Sequence, residues 1–260
     1  MKLATWNVNS LKMRIGHVCD WLNATQTDIL CLQELKLVDE LFPNEALNAI
    51  GYRAIYLGQK TYNGVAILYR EETVDDPTHV VKNIPTFADE QKRLIAGTFP
   101  TVIGDLRVVC FPNGAEVGSD KFNYKLDWLS HLHDWLKEEL TVTTQLALLG
   151  DFNIAPDDRD VWNPKAWEGS ILVSPEERAA FASLLSLGLS DSFRLFDQPE
   201  KLYTWWDYRM LGFQKNHGLR IDHILVSNAL KNSIIQVQID KTPRKWTKPS
   251  DHTPYWIELE

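Results

Sequence analysis

The amino-acid sequence predicts an α/β architecture of mixed β-sheets packed face to face and covered by helices. Three observations predict it. Short apolar runs rich in β-branched residues recur along the whole chain, two intervening stretches place their apolar residues at helical spacing, and several connections between runs are too short for a helical crossover. Short connections require antiparallel hairpins, so the sheets must be mixed.

Taken in order, an opening strand ends at Asn7, and Ile29–Leu32, Val65–Tyr69, Leu94–Phe99 and Leu106–Phe111 read as further strands. They are apolar without alternation, as central strands buried on both faces are. Leu126, Leu129, Leu132, Leu136 and Leu140 then recur on one face of a helix that must point at a core. Leu146–Leu149 is the next strand. A second helix opens with Ser174 as N-cap, Pro175 at its first position and Glu177 three residues after the cap, and Gly188 is its stop. Ile221–Val226 and Tyr255–Leu259 close the series. With 260 residues, 44% of them hydrophobic, and no repeat, low-complexity tract or Gly/Ser linker, residues 1–260 are expected to form one domain.

Composition removes several function classes. Cys19, Cys31 and Cys110 are scattered, which supports neither a disulfide framework nor a zinc site and fits a reducing cytoplasm. The N-terminus does not read as a signal peptide, and no apolar run approaches the roughly 18 residues of a membrane span. A formal charge of −8 argues against coating nucleic acid by bulk electrostatics. It leaves room for an enzyme whose acidic residues hold a cation. No Gly-rich nucleotide loop is present.

The chemistry gathers where polar residues stand at the ends of apolar strands. Asn7 ends the first strand, Glu34 follows Leu32-Gln33, Asp151 and Asn153 follow Leu146–Gly150, and Asp251-His252 precede the last strand. Asp222 lies within Gly218-Leu219-Arg220-Ile221-Asp222-His223. Carboxylates, amides and a histidine suit a hard cation that shares its remaining positions with water and phosphate oxygens.

At these residues the sequence resembles the exonuclease III family of abasic-site endonucleases and 3′-to-5′ exonucleases. The matching segments are Thr5–Leu11, Leu32–Lys36, Tyr62–Ala66, Gly150–Ile154, Gly218–Asp222 and Pro249–Pro254, which span the chain in order. The resemblance implies a four-layered, DNase I-like α/β sandwich of two packed mixed β-sheets flanked by helices. It implies Mg²⁺, with Mn²⁺ as a substitute, on Glu34 with Asn7 and Asp251. Asp151 would orient or deprotonate the attacking water, Asn153 would bond the phosphate or nucleophile, and His252, held by Asp222, would stabilise the pentacovalent phosphorus. The expected partner is double-stranded DNA carrying abasic sites or 3′ ends, bound by a monomer with no membrane association.

For DNA contact, Tyr203–Arg209 combines aromatic planes with the basic Arg209, and Arg220 follows nearby. The resemblance makes Trp205 and Leu219 the walls of a pocket for an extruded sugar or terminal nucleotide, with Trp206 structural. Lys121 and Lys125, with Asn123 and Tyr124, read as a second loop cluster facing the backbone. Two departures from the family pattern matter. Cys110 stands where the family has a phosphate-contacting tyrosine, although Asn113 three residues on is retained, and Leu172 adds bulk near the sugar pocket. The leading reading is therefore a DNA-repair nuclease. A phosphatase or phosphodiesterase of the same superfamily acting on a non-DNA ester, and a catalytically impaired DNA-binding homologue, are the alternatives.

Overall fold

The computed structural model describes residues 1–114, 118 and 120–260. Among the described residues, fourteen strands run in chain order as β1 Lys2–Asn7, β2 Ile29–Gln33, β3 Tyr52–Leu57, β4 Val65–Arg70, β5 Thr78–Lys82, β6 Ile95–Thr101, β7 Gly104–Pro112, β8 Leu146–Asp151, β9 Leu189–Asp191, β10 Trp205–Trp206, β11 Gly218–Leu219, β12 Asp222–Ser227, β13 Ile234–Ile239 and β14 Tyr255–Leu259. The α-helices are α1 Leu11–Thr25, α2 Asn44–Asn48, α3 Asp120–Val142, α4 Pro164–Trp167, α5 Pro175–Ser186 and α6 Asn228–Lys231. Among the described residues, no helix is long and apolar enough to cross a membrane.

Two six-stranded sheets have the orders β13-β14-β1-β2-β4-β3 and β5-β6-β7-β8-β12-β9. Read from opposite ends they correspond strand for strand: each has a single parallel pair, β1/β2 in one and β7/β8 in the other, with every other pairing antiparallel. The inner faces meet in a core of Leu3, Ile29, Cys31, Ile67, Val108, Cys110, Leu149, Ile224 and Ile257. The outer face of the first sheet offers Ala4, Trp6, Leu30 and Leu32 to Val18, Trp21 and Leu22 of α1. That of the second offers Val109, Phe111, Leu148 and Leu225 to α3 and α5. The result is the four-layered sandwich that the strand pattern and the resemblance led us to expect, and central strands covered on both sides explain their unbroken apolar runs.

The N-terminus of α5 forms as its sequence reads. Ser174 Oγ accepts from the Glu177 N–H at 3.2 Å while the Glu177 carboxylate accepts from the Ser174 N–H at 3.2 Å, with Pro175 at the first position. Where β8 delivers Asp151 to the site, the chain passes so close to β7 that a Cβ on Gly150 would lie 1.8 Å from the Phe111 carbonyl oxygen. Only glycine fits there.

Three sequence readings are corrected by this packing. Cys110 does not face the site: it is fully buried between the sheets, its Sγ 3.4 Å from Gln33 Nε2 and 3.5 Å from the Leu32 carbonyl oxygen. The alternation of β7 explains this, because Val109 and Phe111 take the other face. Lys121 and Lys125 lie on α3 rather than on a loop; Lys121 is exposed, but Lys125 is fully buried and ion-paired with Glu177. Arg220 is also buried, its guanidinium bonded to Asp160 at 2.7 Å and to Asp191 at 2.7 Å. Neither Lys125 nor Arg220 can reach a DNA phosphate.

The Arg220 knot makes a stability prediction. Arg220→Met would leave two buried carboxylates short of a partner and should cost about 3–5 kcal/mol in a denaturant titration. Burial works against the charge on Asp191, but Arg220 and the neighbouring His223 outweigh it and hold that carboxyl below its usual range. A depressed carboxyl contributes stability above its unfolded value of about 4. The native protein should therefore lose this contribution as pH falls below about 4, and the Arg220→Met variant should show less of that acid loss.

Candidate active site

The strand ends bring the polar residues together at one end of the sandwich. Asn7 at the end of β1 donates through Nδ2 to Asp151 Oδ2 at 2.9 Å, joining the two sheets. Asp151 Oδ1 accepts from the Asn153 backbone N–H at 2.9 Å. His252 lies just before β14, anchored where Ser250 Oγ accepts from its N–H at 3.2 Å and itself donates to the Asn7 carbonyl at 2.7 Å. Its Nδ1 donates to Asp222 Oδ2 at 2.8 Å, and its Nε2 faces Asp151 Oδ2 at 3.6 Å. Asp222 is set in turn by Thr204, whose Oγ1 accepts from the Ile221 and Asp222 N–H groups.

Burial opposes charge on His252, but Asp222 and Asp151 outweigh it and lift the imidazole to about 10. A histidine between two carboxylates is thus a cation that fixes its ring with one N–H on Asp222 and turns the other toward Asp151. Burial also raises Asp151, opposed by His252 and reinforced by Asp222 and Glu34, to about 7. That is the range in which a general base works best.

Strained backbone occurs in the same loops. Asn9, Ser10, Glu34, Lys36 and Asn153 all have positive φ, from 44° at Asn9 to 88° at Ser10. Such conformations persist where surrounding contacts enforce them. Here the contacts form a chain: Lys36 Nζ bridges Glu34 Oε2 at 2.9 Å and Asn9 Oδ1 at 2.7 Å, and Asn9 Nδ2 donates to Asp251 Oδ1 at 3.0 Å. Asn9 and Lys36 were not singled out from the sequence, although both lie in segments that carry the resemblance.

Asp151, Asp222 and His252 hold ligand atoms within 4.8 Å of one another, as a metal site can. A protonated imidazole has no lone pair to give, however, so this trio suits an ion-paired network better than a metal shell. Both Asp251 oxygens are occupied by N–H donors, from Asn9 and from Trp205 Nε1 at 3.0 Å. Among the described residues, the Glu34 carboxylate, with a third of its side chain exposed, is bonded only to Lys36 and has oxygen lone pairs to offer. Asn7 Oδ1, which accepts a hydrogen bond from the Asn9 N–H, is a second hard oxygen donor. Among the described residues, Asn113, fully buried, has no partner for either side-chain polar atom, and Asp222 Oδ1 is also unpaired. Buried orphan donors and acceptors at one site are what a phosphate ester and its metal would satisfy.

The pattern of the endonuclease/exonuclease/phosphatase family matches residues 4–252, a span that holds every one of these residues. The chain belongs to that family. Over their full lengths it is 37% identical to exodeoxyribonuclease III of Haemophilus influenzae. It covers all of the 3′-5′ exonuclease NExo from Neisseria meningitidis, and is covered by it, with 43% identity and a TM-score of 0.94. An AP endonuclease from Archaeoglobus fulgidus gives 32% identity and a TM-score of 0.91, covering 100% of this chain and 99% of that one. These likenesses put the family member among enzymes of the exodeoxyribonuclease III type.

Beside the polar centre of this family member lies an apolar cluster of Leu172, Leu219, Ile221 and Val161, with Trp205 and Trp167 packed against it. β10 and β11 create it by pairing Trp205 with Leu219. Trp205 keeps exposed surface, but Leu219 has none and Leu172 only 8%. Leu219 is therefore the support behind Trp205 rather than a wall that a ligand touches. Trp206 is fully buried and donates to Asn216. Arg209 projects with 85% of its side chain exposed on a turn that also carries Met210, 81% exposed.

Proposed function

We propose that the protein hydrolyses phosphodiester bonds of duplex DNA at 3′ termini, as a Mg²⁺-dependent 3′-5′ exonuclease that also accepts blocked 3′ ends. The observation that carries this reading is the buried line Asp222–His252–Asp151, joined to Asn7 and opening beside Glu34 and Asn113, whose amide has no partner among the described residues. Asp151 takes a proton from water aimed at phosphorus. His252, kept cationic by Asp222, donates through Nε2 to a phosphoryl oxygen as negative charge grows there. Asn153 and Asn113 supply further N–H donors to the phosphate. Glu34, with Asn7, would hold Mg²⁺, which when bound neutralises phosphate charge; Mn²⁺ has the same preference for oxygen donors. Asp251 supports this set through Asn9 and steadies Trp205.

Trp205, Arg209 and Lys121 are the side chains we assign to DNA, the first by stacking and the others at phosphates. Among the relatives, a Neisseria 3′ phosphatase, 43% identical with a TM-score of 0.94, has been solved bound to product DNA hairpin, which supports a DNA 3′ end as substrate. The near-closed cluster at Leu172 favours terminal over internal abasic cleavage, because an extruded sugar has no room behind Trp205. The test is release of nucleotides from a recessed 3′ end in Mg²⁺, with an inositol phosphate in parallel. Hydrolysis of the DNA alone supports the reading, and hydrolysis of the inositol ester alone sinks it. In that assay His252→Ala should lower kcat by about 10²–10³-fold, the usual effect of removing one donor to a developing oxyanion.

A further inference from the structure

Three consecutive carbonyl oxygens, starting two residues after Asp151, each accept a hydrogen bond from a side chain on a different element. Lys125 Nζ on α3 donates to Asn153 O at 2.7 Å, His223 Nε2 on β12 to Ile154 O at 2.8 Å, and Arg178 Nε on α5 to Ala155 O at 3.1 Å. The His223 tautomer follows from its partners, since Arg220 Nη1 can only donate to Nδ1, at 3.0 Å. Asn153 has φ 49°, a left-handed turn that needs outside contacts to hold it, and its amide lies over Gly114.

The Lys125 contact is the one with a cost. Lys125 and Glu177 are fully buried, and the Glu177 carboxylate both pairs with Lys125 and closes the capping box of α5 through Ser174. A buried ion pair stabilises a fold no better than two well-packed apolar residues would. Its directed N–H, however, ties the Asn153 carbonyl to two helices at once. We infer that the Lys125–Glu177 pair is a positioning device for Asn153, holding that side chain's amide at the geometry the reacting phosphate requires, with Arg178 steadying the next turn of the same strap. This rests on the role proposed above for Asn153. Lys125 thus acts on the reaction through a carbonyl, without touching DNA.

The test is kinetic. Lys125→Met combined with Glu177→Gln removes both charges, keeps similar volumes and leaves an oxygen to cap Ser174. It should lower kcat on a recessed 3′ end by about 10–100-fold, as a small misplacement of a reacting group does, with KM unchanged. Arg107→Met with Glu139→Gln breaks a partly buried ion pair, whose glutamate is about 21 Å further along α3, and should leave kcat at the wild-type value. In an Asn153→Ala background the Lys125/Glu177 change should cost no further activity, because groups that act as a unit are not additive. Should the paired variant fail to fold, Arg178→Met, whose side chain is 29% exposed, carries the test with a several-fold fall in kcat that also vanishes in the Asn153→Ala background. A normal kcat in the variant tested, or an equal loss with and without Asn153, would overturn the inference. Full turnover by Asn153→Ala alone would overturn the role of Asn153 and this inference with it, whereas loss there beside a normal paired variant would overturn the inference only.

Discussion

Asp151→Asn is expected to reduce cleavage by about 10²–10⁴-fold, the contribution of a positioned general base, while DNA binding stays intact or tightens. The side chain keeps its shape, and removing a buried charge does not unfold the site. What changes is acceptance: Asp151 receives N–H donors on both oxygens, from Asn153 and Asn7, and faces a third at His252 Nε2. An amide must turn its own NH₂ toward one of them and has no basic lone pair for water. Loss of a carboxylate beside the phosphate also removes repulsion, so single-turnover cleavage and equilibrium binding should move apart. Wild-type turnover by this variant would remove Asp151 from the mechanism.

The second large effect concerns the cation. Dialysis against a chelator is expected to bring DNA cleavage to background, and Mg²⁺ or Mn²⁺ to restore it. Glu34→Gln should raise the Mg²⁺ concentration for half-maximal rate by at least the roughly 10–100-fold that loss of an outer-shell partner costs. The reason is local: among the carboxylates here, Glu34 has the most open oxygens, held by a lysine that a divalent cation can displace. Asp251→Asn should shift that midpoint less, because both of its oxygens already serve N–H donors. Equal shifts in the two variants would reverse the assignment.

How much of this was legible in the sequence depended on whether a residue's surroundings were local. The central strands were visible because burial on both faces leaves a continuous apolar run, and α5 because Ser174, Pro175 and Glu177 encode its start within a few residues. Edge strands were not: β5 shows an almost fully exposed pattern and β13 alternates polar with apolar residues, so neither has the signature of a core. The polar residues at the strand ends were found because such ends converge when the parallel strands of two packed sheets point the same way. Arg220 and Lys125 misled for one reason. A basic residue near aromatic or polar neighbours looks like a phosphate contact, and the acids that bury them, Asp160, Asp191 and Glu177, lie between 29 and 60 residues away. Cys110 misled because it is assigned by position along a strand, whereas the face it takes depends on the alternation of β7.

The most direct test of the account is cleavage of two labelled duplexes in parallel, one undamaged with a recessed 3′ end and one with an internal abasic-site analogue. With Mg²⁺ the recessed end should be shortened while the abasic strand stays whole, and Leu172→Gly, which empties space behind Trp205, should bring incision at the abasic site. If neither duplex is cut in Mg²⁺ or Mn²⁺, the assignment of this site to DNA hydrolysis is contradicted.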